Sequence, residues 1–94
     1  MKIRWTSLAA MDLESIADYI AQENPQAAHQ VLFNIQQHAL ALKKNAYLGR
    51  EGRIKGTREM VIQNLPYILP YRITDQTIEI LRVLHTARLW PDQA

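Results

Sequence analysis

Residues 53–91 read RIKGTREMVIQNLPYILPYRITDQTIEILRVLHTARLWP, and this stretch decides the fold. A basic approach leads into three runs, residues 57–63, 67–74 and 77–85, separated by Asn64-Leu65-Pro66 and by Asp75-Gln76. The runs are rich in β-branched and aromatic side chains and bounded by turn residues, so each predicts a strand. The tight Asp75-Gln76 connection makes the last two an antiparallel hairpin. Pro70 falls inside the 67–74 run, where it has no N–H to give a ladder, and a bulge is expected near it. Along the last run Ile78, Ile80, Arg82 and Leu84 share one parity and Glu79, Leu81, Val83 and His85 the other. Neither face of that strand is purely apolar, as at the border of a site.

Working back from this stretch, residues 45–55 hold Gly49 and Gly52 among charged residues and read as a loop into the sheet. Upstream the period changes from two to that of a helix. Ala28, Val31, Leu32, Ile35, Ala39 and Leu42 form one stripe, and Leu13, Ile16, Ala17 and Ile20 another. Asn24-Pro25 between them stops one helix and starts the next, with Asn as cap and Pro at the first helical position. The result is a helical hairpin over about residues 8–44, opened by Ser7 as cap and closed near Lys43-Lys44. Residues 2–6 alternate and supply a short first strand, and Thr86 to the end forms a short tail with Trp90-Pro91.

The order β-α-α-β-β-β predicts an α+β domain spanning residues 1–94. The hairpin lies across one face of a small antiparallel sheet, over about residues 54–85, whose N-terminal strand closes an edge. Ninety-four residues suffice for one modest core. With no cysteine, disulfides, thiolate metal sites and thiol chemistry are excluded. No apolar run reaches the roughly 18–20 residues of a membrane span and no apolar signal region opens the chain, so a cytoplasmic protein without membrane partners is expected. His29 and His38 are not at the i, i+4 spacing of a metal pair, and neither a metal nor another cofactor is expected.

Charge is divided unevenly. Residues 1–42 carry two basic and four acidic side chains, residues 43–94 nine basic and five acidic. The run Lys43, Lys44, Arg50, Arg53, Lys55 and Arg58 is opposed only by Glu51, and fits either a solvated loop or a strip that docks an acidic protein segment or nucleic acid. Arg58, Arg82 and His85, with Lys55, are candidates for cleaving RNA, which needs cations against developing phosphate charge and a group that moves a proton. The plainer account is a solvated sheet edge with a strand-end histidine. Arg72 qualifies on charge, but Glu79 on the neighbouring strand can claim it. Tyr67 and Tyr71 share a face and suit either base stacking or, more often, a core.

Several pieces together resemble one family: Ala10-Met11-Asp12-Leu13-Glu14-Ser15-Ile16-Ala17-Asp18-Tyr19-Ile20, Asn24-Pro25-Gln26-Ala27-Ala28, Gly49-Arg50 and Gly56-Thr57-Arg58-Glu59-Met60-Val61-Ile62. Pro66-Tyr67-Ile68, Tyr71-Arg72-Ile73 and Glu79-Ile80-Leu81-Arg82-Val83-Leu84-His85 complete the pattern. It is similar to the RelE/ParE superfamily of toxins from type II toxin–antitoxin modules, over nearly the whole chain. The resemblance implies a growth-inhibiting toxin neutralised by a cognate antitoxin in a hetero-oligomer, the antitoxin folding over apolar and basic surface.

Two targets follow from the resemblance. ParE-type members poison DNA gyrase without being enzymes; RelE-type members cleave messenger RNA on the ribosome as metal-independent endoribonucleases. Under the second, Arg58 and Arg82 would polarise the scissile phosphate, Lys55 would hold the backbone and His85 would be acid or base. Arg53, Lys55, Arg72 and Arg88 are the candidates for contact with a target or nucleic acid. Basic residues are sparser than that branch implies, no terminal tyrosine follows His85, and Pro70 interrupts a strand. The resemblance therefore leans to gyrase, with the ribosome and its message as the alternative.

Overall fold

The structure, a computed structural model, describes residues 1–87. The expected tail around Trp90-Pro91 lies outside the described residues. Along the chain come β1 (Lys2–Trp5), α1 (Ser7–Ala21), α2 (Pro25–Ala41), β2 (Arg50–Glu51), β3 (Arg58–Val61), β4 (Tyr67–Thr74), β5 (Thr77–Ile80) and β6 (Leu84–His85). The strands order as β1-β5-β4-β3-β2, with β6 also on β4.

Local chemistry sets the helix ends. The cap of α1 is Thr6, not Ser7: its Oγ1 accepts the Ala9 N–H at 3.1 Å and donates to the Leu81 carbonyl at 2.9 Å. One hydroxyl thus starts the helix and ties it to the last strand segment, a link that Ser7, already helical, cannot make. Asn24 caps α2 as expected, its Oδ1 accepting the Ala27 N–H at 3.0 Å with Pro25 in the first turn. Past Ala41 the chain tightens, with Lys43 and Lys44 bonding three residues back to Leu40 and Ala41.

The sheet is mixed, not wholly antiparallel. β1 lies on the edge, as expected, but parallel to β5, pairing Ile3 with Ile78 and Trp5 with Ile80. A helical hairpin returns the chain to the end at which β1 finished, so β2 runs opposite to β1, and three further reversals deliver β5 in the direction of β1. β2, two residues in the stretch read as loop, adds the other edge against β3. The turn between β4 and β5 places Asp75 and Gln76 at φ +46° and +61°, both left-handed as a primed hairpin turn needs.

The bulge lies opposite Pro70. Tyr71 pairs with Ile80, but Ile68 pairs with Leu84, so Leu81, Arg82 and Val83 face only Leu69 and Pro70. The Pro70 carbonyl accepts the Leu81 N–H at 2.8 Å, and on that same side Pro70 has no N–H to return. There the last strand leaves the ladder and splits into β5 and β6. The extra residue also inverts the expected parity: Leu84 moves to the face opposite the helices, where it is buried with Ile68, and His85 turns to the helix side beside Tyr67.

On the helix side Met60, Ile62, Leu69, Tyr71, Ile78 and Ile80 pack on Ala9, Ile35, Ala39 and Leu42. The opposite face carries Arg4, Glu79 and Arg72 across β1, β5 and β4, and Arg50 and Glu59 across β2 and β3.

Candidate functional site

The bulge decides what Arg82 does. With the ladder broken, its guanidinium turns to α1, where Asp12 takes it with both oxygens, Nε to Oδ2 at 2.8 Å and Nη2 to Oδ1 at 3.1 Å. Oδ2 also accepts the Val83 N–H at 3.0 Å, a group the bulge had freed. The two side chains are only 14% and 15% exposed, so the pair is largely withdrawn from water.

Arg58, on the helix-side face of β3, is engaged otherwise. Its Nε donates to the Gly49 carbonyl at 2.8 Å and Nη2 to the Tyr47 carbonyl at 3.3 Å, and the guanidinium lies 5.2 Å from the centre of the exposed Tyr47 ring. Here it fastens the segment before β2 to β3. Thr57, Gly56 and Ile73 join Arg58 and Tyr47 around a shallow cavity of about 310 Å³.

His85 meets Tyr67 edge to face, ring centres 5.7 Å apart, and its Nδ1 accepts the Ala87 N–H at 3.0 Å. In the neutral ring that leaves the hydrogen on Nε2. Both rings line a cavity of about 380 Å³ with Asp12, Ser15, Tyr19 and Val83. Burial first, and Tyr19 second, raise the Tyr67 phenol above its ordinary pKa.

The three candidate catalytic residues do not converge. Arg58 pairs with Tyr71 and His85 with Tyr67, on opposite sides of β4. Four residues of strand, about 13 Å, separate those two registers. Arg82 and His85 border one region; Arg58 stands apart.

The remaining candidates divide among other surfaces. Arg72 binds Glu79 at 2.6 Å, as the cross-strand pairing anticipated, and Arg4 grips the same carboxylate from β1. Arg53 and Arg50 hold Glu59, the first through Nε at 3.4 Å and its own N–H at 3.1 Å, the second at 3.1 Å. Lys55 is exposed on the loop between β2 and β3. Arg88 lies outside the described residues. Among those described, no cluster of three or more His, Cys, Asp or Glu could hold a metal, and no helix is long and apolar enough to cross a membrane.

Sequence reasoning gave no role of their own to Asp12 or to Glu59, whose side chain is 1% exposed. The signal for Glu59 was its place between basic residues on a strand otherwise made for burial, where a carboxylate must find cations.

Comparison with known proteins gives a consistent result. Residues 3–90 match the family described as the ParE toxin of type II toxin–antitoxin systems, parDE. The Y4kP protein of Sinorhizobium fredii, a proposed toxin, is 44% identical over 90 residues, 96% of this chain and 93% of that one. Toxin RelE2 of Caulobacter vibrioides is 34% identical over 88 residues, covering 94% and 98%. The chromosomal ParDE toxin–antitoxin system of P. aeruginosa contains a chain that superposes with a TM-score of 0.83 at 30% identity, over 90% of this chain and 95% of that one.

Proposed function

We infer that this chain, which belongs to the ParE toxin family of type II toxin–antitoxin systems, arrests growth by poisoning DNA gyrase and is silenced by its own antitoxin. The observation that carries this reading is the engagement of the arginines. A phosphate-cleaving site needs cations aimed at the scissile group and a proton-moving group within hydrogen-bond reach of it. Here Asp12 holds Arg82, backbone carbonyls hold Arg58, and His85 is on the far side of β4 from Arg58. Such a molecule acts by binding, as one toxin domain working in the cytoplasm.

An antitoxin has suitable surface to cover. Leu8, Met11 and Tyr19 on α1 and Phe33 and Leu40 on α2 are exposed apolar side chains, which a segment that folds on binding can bury. The purified protein should inhibit supercoiling by gyrase and trap cleaved plasmid. Loss of both effects at stoichiometric excess would sink the reading.

One observation favours a ribosome-dependent endoribonuclease instead. His85 and Tyr67 share a cavity with Tyr19 and Ser15, so a proton-moving group does face open space. That reading requires cleavage of message during translation, without added metal, that disappears when His85 is replaced.

A further inference from the structure

The sheet face away from the helices carries one arrangement twice. Glu79 of β5 receives Arg72 from β4 at 2.6 Å and Arg4 from β1. Glu59 of β3 receives Arg50 from β2 at 3.1 Å and Arg53 at 3.4 Å. The carboxylates are withdrawn, with side chains 9% and 1% exposed, whereas those of the four arginines are 43–57% exposed. Neutralising a buried carboxylate takes one cation, and here each has two. Each glutamate therefore holds both guanidinia in place and leaves one surplus positive charge turned to solvent. A guanidinium has five N–H donors, so contact with glutamate leaves the rest of its fork for an outside acceptor.

The cations are spread at the scale of a duplex. Arg4 on β1 and Arg50 on β2 stand four strand spacings apart, about 19 Å. Glu79 pairs with Arg72 and Glu59 with Pro70, so the second pair is displaced by two residues along β4, about 7 Å. Such a face reaches phosphates on both sides of a groove about 6 Å or 12 Å wide. Lys2, Thr77 and Thr74 lie in register beside the first pair and add a cation and two hydroxyls. Asp75 stands beyond them at the turn, and Glu51 shares the helix-side parity of Arg58.

We propose that this face grips the sugar–phosphate backbone of duplex DNA without reading its sequence. The inference rests on the gyrase reading and deepens it, for a gyrase poison then holds the cut DNA as well as the enzyme. Among the described residues no strand presents an aromatic ring here, so unpaired bases have nothing to stack on. A protein segment needs an anchor pocket at the centre of its contact, and there Pro70 is already buried.

The test titrates the full chain against a labelled mixed-sequence duplex of two helical turns, read by fluorescence anisotropy. Binding should weaken steeply between roughly 50 and 200 mM salt, with a log–log slope of about −3 to −5 for contacts by Lys2 and the four arginines. Arg4→Gln with Arg50→Gln leaves each carboxylate its other arginine; affinity should drop about tenfold and the slope become shallower by about 2. Lys43→Gln with Lys44→Gln, just past α2, removes the same charge from another surface and should leave both nearly unchanged. Circular dichroism and thermal melts confirm that each variant folds. In the gyrase assay the arginine variant should need correspondingly more protein to trap cleaved plasmid.

Equal losses from the two double variants overturn the inference, because overall charge and not this face then governs binding. Tighter binding to single-stranded RNA of the same length overturns it as well, as does a loss of antitoxin binding in the arginine variant with DNA affinity kept. A chain that poisons gyrase yet binds no DNA sinks the inference and leaves the gyrase reading intact. DNA binding that depends on Arg4 and Arg50, in a chain without effect on gyrase, upholds the surface and removes the gyrase reading.

Discussion

Asp12 of α1 and Arg82 of the bulge form a two-point ion pair, at 2.8 and 3.1 Å, and the same carboxylate caps the Val83 N–H at 3.0 Å. One side chain thus closes three polar groups that the bulge had exposed. Asp12→Ala leaves a withdrawn guanidinium and a backbone donor without this acceptor, at a cost of about 3 kcal/mol in urea unfolding. Asp12→Leu combined with Arg82→Met should recover part of that loss, since an apolar pair has no charge to desolvate.

Tyr71, wholly buried, ties the far end of the sheet to the segment after α2. Its hydroxyl donates to the Ala46 carbonyl at 2.7 Å and accepts the Gly49 N–H at 2.9 Å. Tyr71→Phe strands both groups, and unfolding free energy should fall by about 1–3 kcal/mol. Gly49→Ala is expected to be at least as harmful. A Cβ there would sit 2.6 Å from the Tyr71 ring and 2.9 Å from the Glu59 carbonyl oxygen, and a buried ring cannot move aside cheaply.

The features legible in the sequence were those made by neighbours in the chain. Asn24-Pro25 and Asp75-Gln76 each carry their own turn chemistry, and both stand where expected. Pro70 announced a bulge, but its missing N–H acts across the ladder, so the extra residue appears among Leu81, Arg82 and Val83. Counting parity straight through that break misplaced Leu84 and left Arg82 as a free-standing catalytic candidate. Its partner Asp12 is 70 residues away, and no local rule connects them. The parallel pairing of β1 was hidden for the same reason, since strand direction depends on where the helical hairpin returns the chain.

Glu59 is a buried acid between two half-exposed arginines, and its two kinds of variant should behave differently. Glu59→Ala abolishes the contacts to Arg50, to Arg53 and to the Arg53 N–H together, costing about 2–4 kcal/mol. Arg50→Ala leaves Arg53 in place, and its cost should stay below about 1 kcal/mol. Paired denaturation curves check this asymmetry.

Growth arrest separates the two target readings. Under gyrase poisoning, His85→Ala retains toxicity in cells induced without antitoxin, because the ring packs against Tyr67 and moves no proton. Under the ribonuclease reading the same change lowers cleavage by about a hundredfold or more. Replication should stop before translation in the first case, and pulse labelling of DNA and protein after induction distinguishes the order.

The Tyr67 phenol gives the fold an alkaline limit. Burial, and then Tyr19, raise its pKa in the folded chain, so the folded state holds that proton more tightly than the unfolded one. The resulting stabilisation is fully present below the unfolded value of about 10 and is lost as the pH climbs through the higher folded value. Nothing in this group changes stability near neutral pH. Above about pH 10 wild-type stability should fall more steeply than that of Tyr67→Phe, which has no proton to lose. Urea midpoints measured for both proteins from neutral to strongly alkaline pH provide the check, and parallel curves would show that Tyr67 ionises as easily folded as unfolded.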